Sequence, residues 1–186
     1  MSRIQARHRF ARITLAVGFT MITAAVSAAG EQEYESGMKA FKSDDLITAM
    51  QYLGQAAEKG NADAEYLLGF ILDNADDNES ARRHYLSAAE KGSADAAYAL
   101  GTMYSSGDGV ERNYDTAVDW YQRASDAGHG GASETLGLAY LEGGLGLNKD
   151  EDKARSLLQR ASELGVPSAN STLHQLAPKQ SEGEKQ

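Results

Sequence analysis

Between Ser93 and Gly128 the apolar positions form two helical stripes separated by a glycine-rich turn. Ala96, Leu100, Gly101 and Tyr104 share one face at helical spacing, and Ala117, Tyr121 and Ala124 do the same further along. Two short amphipathic helices are therefore predicted. They are joined through Gly107-Asp108-Gly109-Val110, whose glycines reach backbone angles that other residues resist. The flanking segments are imperfect copies of this layout. Gly37, Gly69, Gly101 and Gly137 stand 32, 32 and 36 residues apart. Ala49, Ala81, Ala117 and Ala154 stand 32, 36 and 37 apart, and Ala56, Ala88, Ala124 and Ala161 repeat those intervals. Gly60, Gly92, Gly128 and Gly165 close the units, where a helix end favours the left-handed region. Matching offsets in independent rows identify a repeat array.

The repeats run at about 31–60, 61–92, 93–128 and 129–165, followed by a cap over 166–177. In the first, helices are predicted near Gln32–Lys42 and Leu46–Lys59, with Asp44 or Asp45 capping the second. In the second, Ala64, Leu67, Leu68, Ile71 and Leu72 turn inward, a polar connection spans Asp73–Asn78, and Ala81, Tyr85, Ala88 and Ala89 form the next buried face. The fourth keeps Ala132, Leu136, Gly137 and Tyr140, a glycine-rich turn at Gly143–Gly146, then Ala154, Leu157, Leu158 and Ala161. Pro167 opens the capping helix, where Ala169 and Leu173 continue the buried pattern and Ser168, Asn170, Thr172, His174 and Gln175 face water. The predicted fold is all-α: a solenoid of four helix pairs and a cap. Residues 178–186 lack apolar side chains and are expected to be a disordered tail.

The N-terminus follows different rules. Arg3, Arg7, Arg9 and Arg12 form a basic start, Ile13–Val26 carries no charge, and Val26-Ser27-Ala28 supplies small residues. That is the layout of a secretory signal peptide over 1–28, cut after Ala28 or Ala29; the competing reading is an uncleaved anchor. The expected location is periplasmic, or secreted, with no membrane insertion after cleavage. Cysteine is absent, which removes disulfides, a lipidated cysteine and thiolate chemistry. Loss of four arginines with the leader would take the formal charge from −9 to −13. Such a surface repels phosphate backbones, so nucleic acid is not an expected partner.

Ala96, Leu100, Gly101, Tyr104, then Gly107, Gly109 and Val110, then Ala117, Trp120, Tyr121 and Ala124 resemble the Sel-one-like repeat (SLR) family. The third unit matches fully, and the fourth matches with Leu147 shifted in a longer loop. The first two lack the Gly-x-Gly-Val turn and are more similar to tetratricopeptide repeats. The resemblance implies a right-handed superhelix whose concave face, lined mainly by first helices, holds a protein or peptide. It implies a non-enzymatic adaptor in a bacterial envelope, or a secreted effector that binds a host protein. Exported, cysteine-rich relatives associated with penicillin binding imply a third reading, a penicillin-binding or cell-wall enzyme.

The residues offer that third reading little. Ser36 and Lys39 form Ser-x-x-Lys, but Ser-Asp-Asn and Lys-Thr-Gly are absent, and an exposed helix face explains the pair. Asp73, Asp76, Asp77 and Glu79 do not alternate as calcium ligands and read as a solvated connection. His84, His129 and His174 lack metal-pair spacing and are read as surface or boundary residues, and Trp120 as packing between pairs. Gly143, Gly144 and Gly146 lack the lysine and strand of a phosphate loop. No catalytic residue, metal ligand or cofactor is expected. What varies is the slot of Tyr66, Tyr98 and Thr135 and that of Phe70, Thr102 and Leu138. On a concave face Tyr66, Phe70 and Tyr98 would form an aromatic strip, and Asp63, Asp73 and Glu134 an acidic rim. With Thr102 and Leu138 these are the candidate partner-binding residues. Packing against the adjacent pair is their competing role.

Overall fold

The computed structural model describes residues 30–176, so the expected leader and tail lie outside the described residues. Nine helices and no strand occur among the described residues: α1 (Glu31–Lys42), α2 (Leu46–Glu58), α3 (Ala62–Asp73), α4 (Asn78–Glu90), α5 (Ala94–Ser106), α6 (Tyr114–Asp126), α7 (Gly130–Glu142), α8 (Glu151–Glu163) and α9 (Pro167–Leu176). From α2 to α8 each helix starts on a side chain that accepts the amide three residues ahead. Asp45 takes Thr48 N–H at 3.1 Å, Asn61 takes Ala64 at 2.8 Å, and Asn113 takes Thr116 at 3.0 Å. Asp44 is not the cap; it bends through φ 61° in the preceding turn.

Helices pack as α1/α2, α3/α4, α5/α6 and α7/α8, and each second helix then meets the next first helix, with α9 closing on α8. The array is an all-α solenoid. The seam glycines explain why the pairs are so close. A Cβ at Gly69 or Gly101 would stand 2.6 Å from the ring of Tyr85 or Tyr121. At Gly37 it would stand 2.7 Å from Leu53, and at Gly137 2.9 Å from Leu158. A bare backbone is the only surface that fits there.

Between pairs the core is made of small residues and a few large ones. Ala81, Tyr85 and Ala88 of α4 are buried against Ala96, Leu100 and Met103 of α5. The same arrangement joins Ala117, Tyr121 and Ala124 to Ala132 and Leu136. Ser125 and Ser133 are buried where α6 meets α7 and satisfy each other with a 2.8 Å hydrogen bond. At the end, Leu158 and Ala161 bury Ala169, with Leu173 and Leu176 packed against them. No helix of the described residues is long and apolar enough to cross a membrane.

Candidate functional site

The face contributed by α1, α3 and α5 carries a row of half-buried tyrosines three residues before each seam glycine: Tyr34, Tyr66 and Tyr98. Each lies where the next pair begins. Burial, then the Asp63 and Glu31 carboxylates, push the Tyr34 hydroxyl above its usual pKa; burial and Asp95 do the same to Tyr66. Tyr66 rests on the core ring of Tyr85, centroids 5.9 Å apart, and Tyr98 on Tyr121 at 5.5 Å. Tyr98 also stacks on the His129 imidazole at 4.2 Å.

This geometry corrects the register of the fourth pair. Gly137 meets Leu158 as Gly101 meets Tyr121, so the residue in the tyrosine row is Glu134, three before the glycine. Thr135 is one place off, and its hydroxyl donates to the Gly131 carbonyl at 2.8 Å. Counting back from Gly137 gives the same residue, and the helix contact confirms that Gly137 is the seam glycine.

The other candidates separate into exposed and engaged residues. Asp63 and Thr102 are exposed, and Phe70 is 39% exposed while its ring meets Phe41 edge-on at 6.3 Å. Thr102 Oγ1 donates to the Tyr98 carbonyl at 3.2 Å and accepts from the Tyr121 hydroxyl at 3.3 Å. Asp73 is drawn inward, accepting from the Tyr85 hydroxyl at 3.3 Å. Leu138 is half-buried against the terminal core of Leu158, Ala161 and Ala169. The face therefore presents aromatic edges, hydroxyls and carboxylates side by side.

Sequence reasoning missed the strongest polar cluster. Glu65 accepts from the Ser87 hydroxyl at 2.7 Å and the Lys91 ammonium at 3.0 Å, and lies 2.8 Å from His84 Nδ1. Burial opposes its charge, yet the hydrogen bonds from His84, Ser87 and Lys91 outweigh burial and hold the carboxyl below its usual range. Serine, histidine and carboxylate are together here in an order that does not activate the hydroxyl, because Ser87 bonds to the carboxylate and not to the imidazole. The cluster ties α3 to α4. Only aligning Glu33 with Glu65 and Lys59 with Lys91 could have revealed it.

His129 is the N-cap of α7. Its Nδ1 accepts the Ala132 N–H at 3.0 Å and its Nε2 stands 3.5 Å from Asp95. Burial lowers its pKa, with Asp95 opposing. Trp120 packs between neighbouring pairs with the Arg123 guanidinium 4.6 Å above its ring. The Ser36 hydroxyl donates to the Gln32 carbonyl at 2.9 Å, the back-bond of an ordinary helix serine. Asp77 of the acidic connection caps α4 through Ser80 N–H at 3.2 Å.

A family model described as Sel1 repeat matches residues 24–61, 62–93, 94–129 and 136–166. A Sel1 repeat protein from Oxalobacter formigenes is 30% identical over 77% of this chain and 59% of its own, with a TM-score of 0.71. A protective antigen present in uropathogenic Escherichia coli strains, displaying an SLR fold, is 30% identical over 84% of this chain and 35% of its own, with a TM-score of 0.73. The chain thus spans less than two thirds of either protein. No curated protein matches it.

Proposed function

Because the chain belongs to the Sel1 repeat family, we propose that it is a non-catalytic adaptor of the bacterial envelope, holding a protein or peptide segment along its first-helix face. Sel1 repeats are in general protein-interaction modules. The observation that carries the reading is the row Tyr34, Tyr66 and Tyr98, half-buried beside Asp63, Asp95 and His129, with Phe70 exposed next to it. Tyrosines locked by packing present a rigid amphipathic edge, and little side-chain entropy remains to be lost on binding. Asp63, Tyr66, Phe70, Tyr98, Thr102 and Glu134 would make the contacts. Asp73 and Leu138 would border them, since both are engaged in packing. The basic start and apolar run of residues 1–28 support export to the periplasm or beyond.

The test is crosslinking capture from envelope extract with the wild-type chain and with Phe70→Ala and Asp63→Lys. Asp63 is exposed, so with Asp63→Lys the thermal midpoint should hold while one captured species is lost; Phe70→Ala gives up the edge contact with Phe41, so its capture is read below its own, lowered midpoint. Equal capture by all three would overturn this choice of face.

A further inference from the structure

The start of a second helix is roofed in the later pairs by the segment that follows. The Gly107–Asn113 loop of the third pair lies on α4: a Cβ at Gly109 would collide with Asn78, and Val110 packs on the core that includes Ala81. The Gly143–Asp150 loop of the fourth pair lies on α6. A Cβ at Gly146 would meet Tyr114 at 3.9 Å, and Leu145 packs on the core that includes Ala117. At α8 the end of α9 takes this place, its Leu176 carbonyl accepting from Arg155 at 3.0 Å. The connection of the second pair is only Asn74–Asp77, without glycine or an aliphatic longer than Ala75, and among the described residues nothing roofs the start of α2.

The residues left there are not those of a solvated helix. Ile47 is 85% exposed and Leu46 43%, with Met50 exposed one turn on. In the later pairs the Ile47 slot holds Glu79, Asp115 and Asp152. At this slot an apolar side chain thus stands where the later pairs carry an acid, and the roof is missing. Covering them would stabilise a complex by removing their surface from water.

We propose that the start of α2, at Leu46, Ile47 and Met50, is a seat for a loop supplied by a partner protein. That loop is an extended segment in which glycine flanks one aliphatic side chain, as in Gly109-Val110 and Leu145-Gly146. The two internal seats show what this surface takes: at Gly109 glycine lets the backbone approach the helix, at Gly146 it supplies the left-handed turn at φ 72°, and in both the aliphatic side chain reaches the core beside the second-helix alanine. A second copy is a poor source, because its loops of this kind already cover its own α4 and α6. The seat is on a second helix, so it stands or falls separately from the first-helix face.

The probe is a cyclised peptide of residues 105–113, titrated into the isotopically labelled chain while amide shifts are followed. Shifts should concentrate at Leu46–Met50, weaken at least tenfold with Ile47→Glu in the protein, and vanish with Val110→Asp in the peptide. Ile47→Glu places at the surface the kind of residue the later pairs carry there, so the variant should fold. Absence of shifts at the seat, or equal shifts with the Asp peptide, would overturn the proposal. So would concentration-dependent shifts there without peptide, which would assign the seat to a second copy. Nuclear Overhauser contacts from the Ile47 methyls to a segment of the chain outside its helix pair and the next, in the dilute free chain, would assign it to the chain itself, with the same consequence.

Discussion

In the first two helix pairs the residue four before the seam glycine is a glutamate. Glu33 reaches Lys59 at 2.8 Å and Glu65 reaches Lys91 at 3.0 Å, each a lysine just past the end of the partner helix. In the last two pairs the same slot holds Ala97 and Ser133, both buried, and the lysine slot holds Ala127 and Leu164. All four pairs keep the glycine and the close approach it permits. What differs is the polar clasp, which ties the two helices of each pair in the N-terminal half and is replaced in the C-terminal half by buried Ala97 and Ser133. The connections differ in the same sense, short in the second pair, long and roofing in the third and fourth. Fold and clasp are thus separable, and the two halves should respond differently to packing defects and to acid.

The largest effect belongs to the packed half. Gly101→Val forces branched carbons against the Tyr121 ring, where even a Cβ would lie at 2.6 Å, and the ring has no free direction because Tyr98 lies over it. Overpacking at such a contact costs about 3 kcal/mol or more. The third pair should unfold, seen as a loss of helical circular dichroism at temperatures where the wild-type chain is folded. An unchanged midpoint would mean that the seam is looser than its distances state.

Next comes the clasp. Glu65→Gln keeps the shape but removes the charge that Ser87 and Lys91 bond to, and should cost about 2 kcal/mol at pH 7. The folded carboxyl titrates below its ordinary 4.5, so its contribution is full above that value and is lost as pH falls through the lower folded value. Urea unfolding of both chains should therefore differ at pH 7 and converge in strong acid. A gap that persists there would show that shape, not charge, holds α3 to α4.

Much of this was legible in the sequence, for a definite reason. A glycine whose Cβ would collide is required at every copy of the seam, so Gly37, Gly69, Gly101 and Gly137 appear as a row before any helix is drawn. Asp45, Asn61 and Asn113 are common cap residues and mark helix starts in the same way. The clasp was legible only through the repeat, by setting Glu33 beside Glu65 and Lys59 beside Lys91, because Glu65 and its partners are 19 to 26 residues apart and no helical period links them. The role of His129 was not legible, since histidine is not a usual cap. Ile47 was there to be noticed: set beside Glu79, Asp115 and Asp152, it is the residue that breaks its row. The candidate face lay in between. Its tyrosines stand out, yet the row slips by one at Thr135, where counting back from Gly137, as the helix contact confirms, gives Glu134.

The smallest effect distinguishes the halves by pH. His129 gives the packed half a titrating joint, because Nδ1 can accept the Ala132 N–H only while it carries no proton. Burial holds its folded pKa below 6.5, against the pull of Asp95 on one side, while Tyr98 covers the ring. As pH falls below 6.5 the unfolded chain takes up the proton first, so stability is full above that value and declines toward the lower folded one. The loss is about 0.5 kcal/mol, the scale of one exposed cap. Asn caps as well as any residue and does not titrate there, so the midpoint of His129→Asn, set at pH 7.5 by the lost stack on Tyr98, should gain on the wild type between pH 7.5 and pH 5.5. The clasp of Glu65, His84, Ser87 and Lys91 is present in both chains, so it cancels from the difference. If the variant instead tracked the wild type across this window, the mild-acid response would belong to another group, and the packed half would be insensitive to pH.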